Sequence, residues 1–202
     1  MKETLKIALT GVMGAGKSSA AALLKEAGIL VIDCDEINRQ LLCRDHIGYQ
    51  KVVAAFGDQV LASDQTLDAQ ALSDQIFCDP QKKQQLEAIL HPLIQAEVLS
   101  QMDQCREPLI VVEVPLLFET HWESMFDEIW VVCCQEATRL ARLQEFRHIS
   151  RTEAQRRLSH QMSQEDKCVR ADVLLHNDGD IKDLKRQIEK QLERLLKGMI
   201  SC

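Results

Sequence analysis

Eight cysteines are present, yet no two of them form a C-x-x-C pair, the spacing on which structural zinc sites and many redox motifs are built. Cys133 and Cys134 are adjacent inside an apolar, strand-like run and the others are scattered. Neither a zinc centre nor a disulfide framework is expected, and reduced thiols are. A long hydrophobic run is missing too. Gly11 and Gly14 interrupt the apolar N-terminal stretch after a few residues, which excludes a secretory h-region, and nothing reaches the length of a membrane span. Positive charge is not in excess: the formal net charge is −7, whereas a general nucleic-acid or membrane-surface binder favours a basic surface. There are no internal repeats, and neither N-K-x-D nor T-K-x-D occurs, so the base-reading motif of a GTPase switch is lacking. What remains is a chain of 202 residues, 46% hydrophobic and 27% charged. It suits one soluble, cytoplasmic, monomeric globular domain that takes neither nucleic acid nor membrane as partner.

The most informative segment present is Gly11-Val12-Met13-Gly14-Ala15-Gly16-Lys17-Ser18, a match to G-x-x-x-x-G-K-[ST]. Its four fixed positions recur by chance in roughly one chain in a hundred of this length. Here the strand-like Leu5–Thr10 precedes the motif and the helix-forming run from Ser19 to Glu26 follows it. Glycines let successive backbone N–H groups turn inward toward phosphate oxygens, and the following helix adds its positive end. In this reading Gly14, Ala15, Gly16, Lys17, Ser18 and Ser19 bind ATP. Lys17 reaches the β- and γ-phosphates, and the Ser18 hydroxyl ligates Mg²⁺, whose other ligands are phosphates and water.

Apolar runs at Leu5–Thr10, Ile29–Asp33, Leu109–Val114, Ile129–Cys134 and Asp172–His176 alternate with helical periodicity. That alternation predicts an α/β P-loop fold, a five-stranded parallel core sheet flanked by helices. The connection from Glu36 to Pro108 is too long for a simple crossover. It reads as helical over Gln50–Phe56, Ala69–Phe77 and about 81–105, with Pro92 predicting a kink. From Arg139 to Arg170 the local charge turns positive, as expected of a solvated helix face or of an arginine-bearing lid. One domain over 1–202 is expected, with the core at about 1–35 and 108–202, a lid at about 139–170 and a helical substrate subdomain at about 36–107.

Phosphoryl transfer needs a group beside the acceptor hydroxyl, a metal, and cations around the moving phosphoryl. Asp33 ends the second strand at the carboxyl edge, where open α/β sheets bind ligands, and can accept the hydroxyl proton. Asp35 reads chiefly as an N-cap for the run Glu36-Ile37-Asn38-Arg39. Arg39 can pair with Asp35 or hold a substrate phosphate, and either Glu113 or Glu119 can hold a metal-bound water. His91, lone on a helix, has packing and functional readings side by side.

Taken together, the motifs resemble those of the dephospho-CoA kinase family. Thr10-Gly11 through Lys17-Ser18 is followed by Val31-Ile32-Asp33-Cys34-Asp35-Glu36-Ile37-Asn38-Arg39 and by Phe56-Gly57. Then come Leu86-Glu87-Ala88-Ile89-Leu90-His91-Pro92-Leu93-Ile94 and Pro115-Leu116-Leu117-Phe118-Glu119. Arg142, Gln161 and Ala171-Asp172-Val173-Leu174-Leu175-His176-Asn177 close the series. The resemblance implies ATP-dependent phosphorylation of the ribose 3′-hydroxyl of dephospho-CoA, the last step of coenzyme A synthesis. It implies Asp33, Lys17 and Arg142 as catalytic residues, Arg142 and Asn177 at the ATP site, and Asp33, Asp35, Arg39 and His91 on the substrate side. Where the family pattern has a second lid arginine this chain has Phe146, with Arg147 one place on and so rotated by about 100° on a helix; Lys167 replaces a common arginine. Another small-metabolite kinase of the same fold is the alternative, separated only by the His91-Pro92 and Pro115–Glu119 segments.

Overall fold

Five short aliphatic runs form strands: β1 (Leu5–Thr10), β2 (Leu30–Asp33), β3 (Leu109–Glu113), β4 (Glu128–Cys133) and β5 (Val173–His176). They pair into one parallel sheet in the order β2-β3-β1-β4-β5. β1 is central, with Leu9 opposite Glu113 and Thr10 opposite Val131, so the loop leaving β1 starts between the carboxyl ends of two neighbours. Both sheet faces are covered, and all five residues of β3 are buried, as parallel sheets require. These are the expected strands, shifted by a residue at some ends. The computed structural model describes residues 4–77, 79–159 and 161–200, apart from the side chains of 147, 199 and 200. No helix among them is long and apolar enough to cross a membrane.

The chain divides into two compact units, Met1–Ile32 with Cys105–Cys202, and Asp33–Gln104. In the first, α1 (Lys17–Glu26) and α9 (Ile181–Ile200) lie on one sheet face. There Ala20, Leu23 and Leu24 of α1 and Leu184, Ile188, Leu192 and Leu195 of α9 pack with Ile7, Leu9, Val111, Trp130 and Val132. Each large side chain fully buried in this layer contributes about 1.5–3 kcal/mol. The stripe on α9 has the spacing the sequence predicts for a packing helix. On the other face α8 (Gln164–Val169) lies against β4. The basic stretch before it forms α6 (Glu136–Arg147) and α7 (Arg151–Leu158). Ser150 caps α7 by accepting from the Glu153 amide, and Ser163 caps α8 by accepting from that of Asp166, which sets the starts of both helices.

The second unit is helical, with α2 (Cys34–Leu41), α3 (Ile47–Phe56), α4 (Ala69–Phe77) and the 25-residue α5 (Pro80–Gln104). α5 packs on α2, α3 and α4, around a core of Val52, Phe56, Val60, Leu72 and Leu90. It runs as one helix through Pro92.

At the start of β4 the Glu128 carboxylate receives two hydrogen bonds from Arg194 of α9, at 3.0 and 2.6 Å, and one from the Trp130 indole at 3.0 Å. Burial pushes its pKa up, but the donors outweigh it and the net shift is downward from 4.5. A depressed carboxylate stabilises the fold above its unfolded pKa and loses that contribution as pH falls through the folded value. The stability gap between the natural protein and Glu128→Gln is therefore expected to be full above pH 4.5 and to shrink below it. Urea unfolding at a series of pH values checks this; a gap independent of pH would contradict it.

Candidate active site

The loop between β1 and α1 takes its shape from its glycines and from one clamp. Gly16, the N-cap of α1, has φ 103°, a conformation L side chains rarely adopt. A Cβ there would also run into the Asn177 amide. The cap makes no side-chain hydrogen bond and the first turn of α1 holds no acidic residue. The loop thus leads into the amino end of α1, whose first N–H groups and positive helix end favour an anion. Lys17 Nζ donates to the carbonyls of Gly11 at 2.8 Å and Val12 at 3.4 Å, which folds the ammonium back across the loop. Ala15 is fully buried, and Ser19 is exposed on the first turn of α1.

Asn177, only 5% exposed, supplies the clamp. Its side-chain amide donates to the Ala15 carbonyl at 2.8 Å, and its backbone N–H donates to the Cys133 carbonyl at 2.8 Å. Its own carbonyl receives Nη1 of Arg142 at 2.7 Å. The structure thus brings the loop, Arg142 and Asn177 together. Gln161 adds a further tie by accepting from the Met13 amide at 3.0 Å. Arg156 and Arg157 instead pair with Glu153, and Arg170 with Glu123; these are surface pairs of the kind a charged helix face forms. The side chain of Arg147 lies outside the described residues.

The Ser18 hydroxyl lies 3.5 Å from Glu113 Oε1. Glu113 ends β3 and is 7% exposed. It has the parity of Leu109 and Val111, which pack in the same layer as α1, so its carboxylate emerges beside the start of that helix. A hydroxyl and a carboxylate are hard oxygen donors that fit Mg²⁺, which usually takes one or two carboxylates and fills its remaining positions with substrate phosphates and water. No group of three or more His, Cys, Asp or Glu among the described residues could hold an ion. Glu119, the other carboxylate considered for this role, is engaged elsewhere. It accepts from the Met162 amide at 2.8 Å and pairs with the fully buried Lys167 at 2.9 Å. Lys167 also donates to the Pro115 carbonyl at 3.2 Å and lies 5.7 Å from the Phe118 ring centroid. The basic residue at 167 therefore pins the Pro115–Glu119 segment from beneath. Nearby, burial pushes the Cys133 thiol up to about 12 and raises those of Cys134 and Cys168, so these sulfurs stay protonated and unreactive near neutral pH.

In the helical unit one sequence reading needs correction. The N-cap of α2 is Asp33, not Asp35: its Oδ1 accepts from the amides of Asp35 at 2.8 Å and Glu36 at 3.2 Å. Helix α2 starts at Cys34, directly after β2, so the capping position falls on the strand's last residue and Asp35 sits in the first turn. Arg39 pairs with Glu36, with Nε 3.0 Å from Oε2, a three-residue separation on one exposed helix face, and the charges of Asp33 and Asp35 also act on it. That bond with Glu36 raises the pKa of the guanidinium. His91 is half-buried in the middle of α5.

A nucleotide-binding loop on the central strand of a parallel sheet, with an arginine helix beside it, defines a P-loop kinase. The family profile described as dephospho-CoA kinase matches residues 5–183. The chain is 37% identical to the dephospho-CoA kinase of Thermosynechococcus vestitus over 199 residues, 98% of each chain. Its fold is similar to the crystal structure of TT1252 from Thermus thermophilus, with TM-score 0.84 and 32% identity over 96% of this chain and 99% of that one. The dephospho-CoA kinase of Campylobacter jejuni gives TM-score 0.71 and 26% identity over 96% and 98%. The chain belongs to the dephospho-CoA kinase family, kinases that phosphorylate dephospho-CoA in the last step of coenzyme A biosynthesis.

Removing Glu119 would strand the buried Lys167 ammonium. Glu119→Ala is expected to cost about 3 kcal/mol of unfolding free energy, and Glu119→Ala with Lys167→Met to recover much of it. Equal losses in the single and double variants, measured by urea denaturation, would show that the pair is not the source.

Proposed function

We propose that this chain transfers the γ-phosphoryl group of ATP to the ribose 3′-hydroxyl of dephospho-CoA, releasing ADP. The observation that carries the reading is the clamped loop: Asn177 bonded to Ala15, and Lys17 and Ser18 opening α1 next to the buried Glu113. Family membership supports the acceptor. Backbone N–H groups from Gly14 to Ser18 cradle the phosphates, and Lys17 exchanges its carbonyl acceptors for the β- and γ-phosphates, which are stronger ones. Arg142 binds the nucleotide with the part of its fork not held by Asn177, which itself lines the ATP site. Ser18 and Glu113 would hold Mg²⁺, which when bound offsets the phosphate charge.

On the acceptor side Asp33 receives the proton as the 3′-oxygen bonds to phosphorus and the bond to the ADP oxygen breaks. Its Oδ1 caps α2, and that bond fixes the carboxylate while Oδ2 remains for the proton. The helical unit supplies Asp35, Arg39 and His91 to the acceptor substrate, and α6 to α8 form the lid. The chain acts as a cytoplasmic monomer.

The proposal is tested by ADP release with dephospho-CoA, AMP or pantetheine phosphate as acceptor. Turnover is expected with the first, and faster turnover with either of the others would overturn the acceptor assignment. Lys17→Ala is expected to abolish turnover in a folded protein.

Asp33→Asn keeps a competent cap, because Asn caps as well as Asp, but loses the proton acceptor. It should lower kcat by roughly two to four powers of ten with little change in Tm or ATP affinity. Asp35→Asn should leave kcat much closer to normal, and the reverse order in steady-state kinetics would exchange the two roles.

A further inference from the structure

One arginine beside the loop is still without a role. Gly14, at φ 83°, faces α6 so closely that a Cβ on it would fall 2.9 Å from Cγ of Arg139 and 2.9 Å from Cγ of Leu143. The aliphatic stem of Arg139 therefore runs across the outside of the phosphate loop, and its guanidinium begins two bonds further on. Arg139 Nε is buried and has no hydrogen-bond partner among the described residues. Buried donors in folded proteins are nearly always paired, and an exception calls for an unseen partner. Arginines elsewhere on the chain find carboxylates: Arg39, Arg156, Arg157, Arg186 and Arg194 each bond one. No such pair involves Arg139 among the described residues. It lies three residues before Arg142, on the same face of α6, and Arg142 points to the Asn177 carbonyl beside the loop. The position after Arg142 that would extend this face holds Phe146, 71% exposed.

We infer that Arg139 is a second cation of the nucleotide site, whose guanidinium binds a phosphate of ATP from the α6 side of the loop. The inference rests on the reading of the loop as an ATP site. A phosphate oxygen is the acceptor the buried Nε lacks, and the planar fork can give it two parallel hydrogen bonds. Leu143 and the arginine stem together form the apolar wall against Gly14, so the charge is carried to the loop on a packed support.

The test measures ATP binding with Mg²⁺ by calorimetry, together with the Tm of the free protein, for the natural chain, Arg139→Met and Arg139→Lys. Methionine keeps the stem on Gly14 and removes the unpaired donor. Arg139→Met is expected to weaken ATP binding roughly tenfold to a hundredfold, the range for a lost charge-assisted hydrogen bond, with the free-protein Tm unchanged or raised. Arg139→Lys, which keeps charge without the fork, should fall between. Unchanged ATP affinity in Arg139→Met overturns the inference, and an accompanying drop in Tm would assign the residue to packing instead. Should Arg139→Met not fold, Arg139→Lys decides alone: affinity equal to the natural chain's overturns the inference. Absence of ATP binding in the natural chain would overturn the loop reading itself, a separate outcome.

Discussion

Three elements meet on one buried amide. Asn177 leaves the end of β5, ties its backbone to β4, its side chain to the phosphate loop and its carbonyl to α6. A P-loop works by holding several N–H groups in one orientation before the anion arrives, so that little reorganisation is needed at the reaction. Glycines permit that curl but cannot enforce it. The enforcement is the bond from Asn177 to Ala15, made possible because Gly16 lacks the Cβ that would collide with the amide. Sheet order follows the same need: β1 lies between β3 and β4, which delivers Glu113 to one side of the loop and Asn177, through β4 and β5, to the other.

Charge in this unit is sorted by depth. Surface arginines on α7 pair with a helix neighbour and contribute little to stability. Lys167 lies at the bottom, fully buried, with Glu119, the Pro115 carbonyl and the Phe118 ring around it. Glu119 continues to the Met162 amide, and the adjoining Gln161 reaches the Met13 amide of the loop. A buried charge thus fixes Met162 just before α8, and the adjoining Gln161 in turn holds the rim of the loop. Lysine can fill this position because its contacts are a carboxylate, a carbonyl and a ring face, none of which requires a planar fork.

What was legible in the sequence was local. Strand boundaries fell within a residue or so because apolar runs and glycines are contiguous signals, and the loop from Gly11 to Ser18 is its own signature. The cap of α2 was misplaced by two residues, since Asp33 and Asp35 are both good caps and only the end of β2 decides between them. The bond from Arg39 to Glu36 was not legible for a similar reason, as Asp35 and Glu36 both lie within a helical turn of it. Pairings across the fold were out of reach: Asn177 and Ala15 are 162 residues apart, and Lys167 and Glu119 are 48 apart. Glu113 and Glu119 looked equivalent, one on each side of Pro115. Strand parity turns the first toward Ser18, and the turn after Pro115 delivers the second to Lys167.

The most direct test of the account identifies the product formed from dephospho-CoA and ATP by mass and ³¹P NMR. The account predicts one added phosphate per ADP released, as a monoester on the ribose 3′-oxygen. ADP formed without phosphorylated acceptor, or phosphate found at another oxygen, would contradict it.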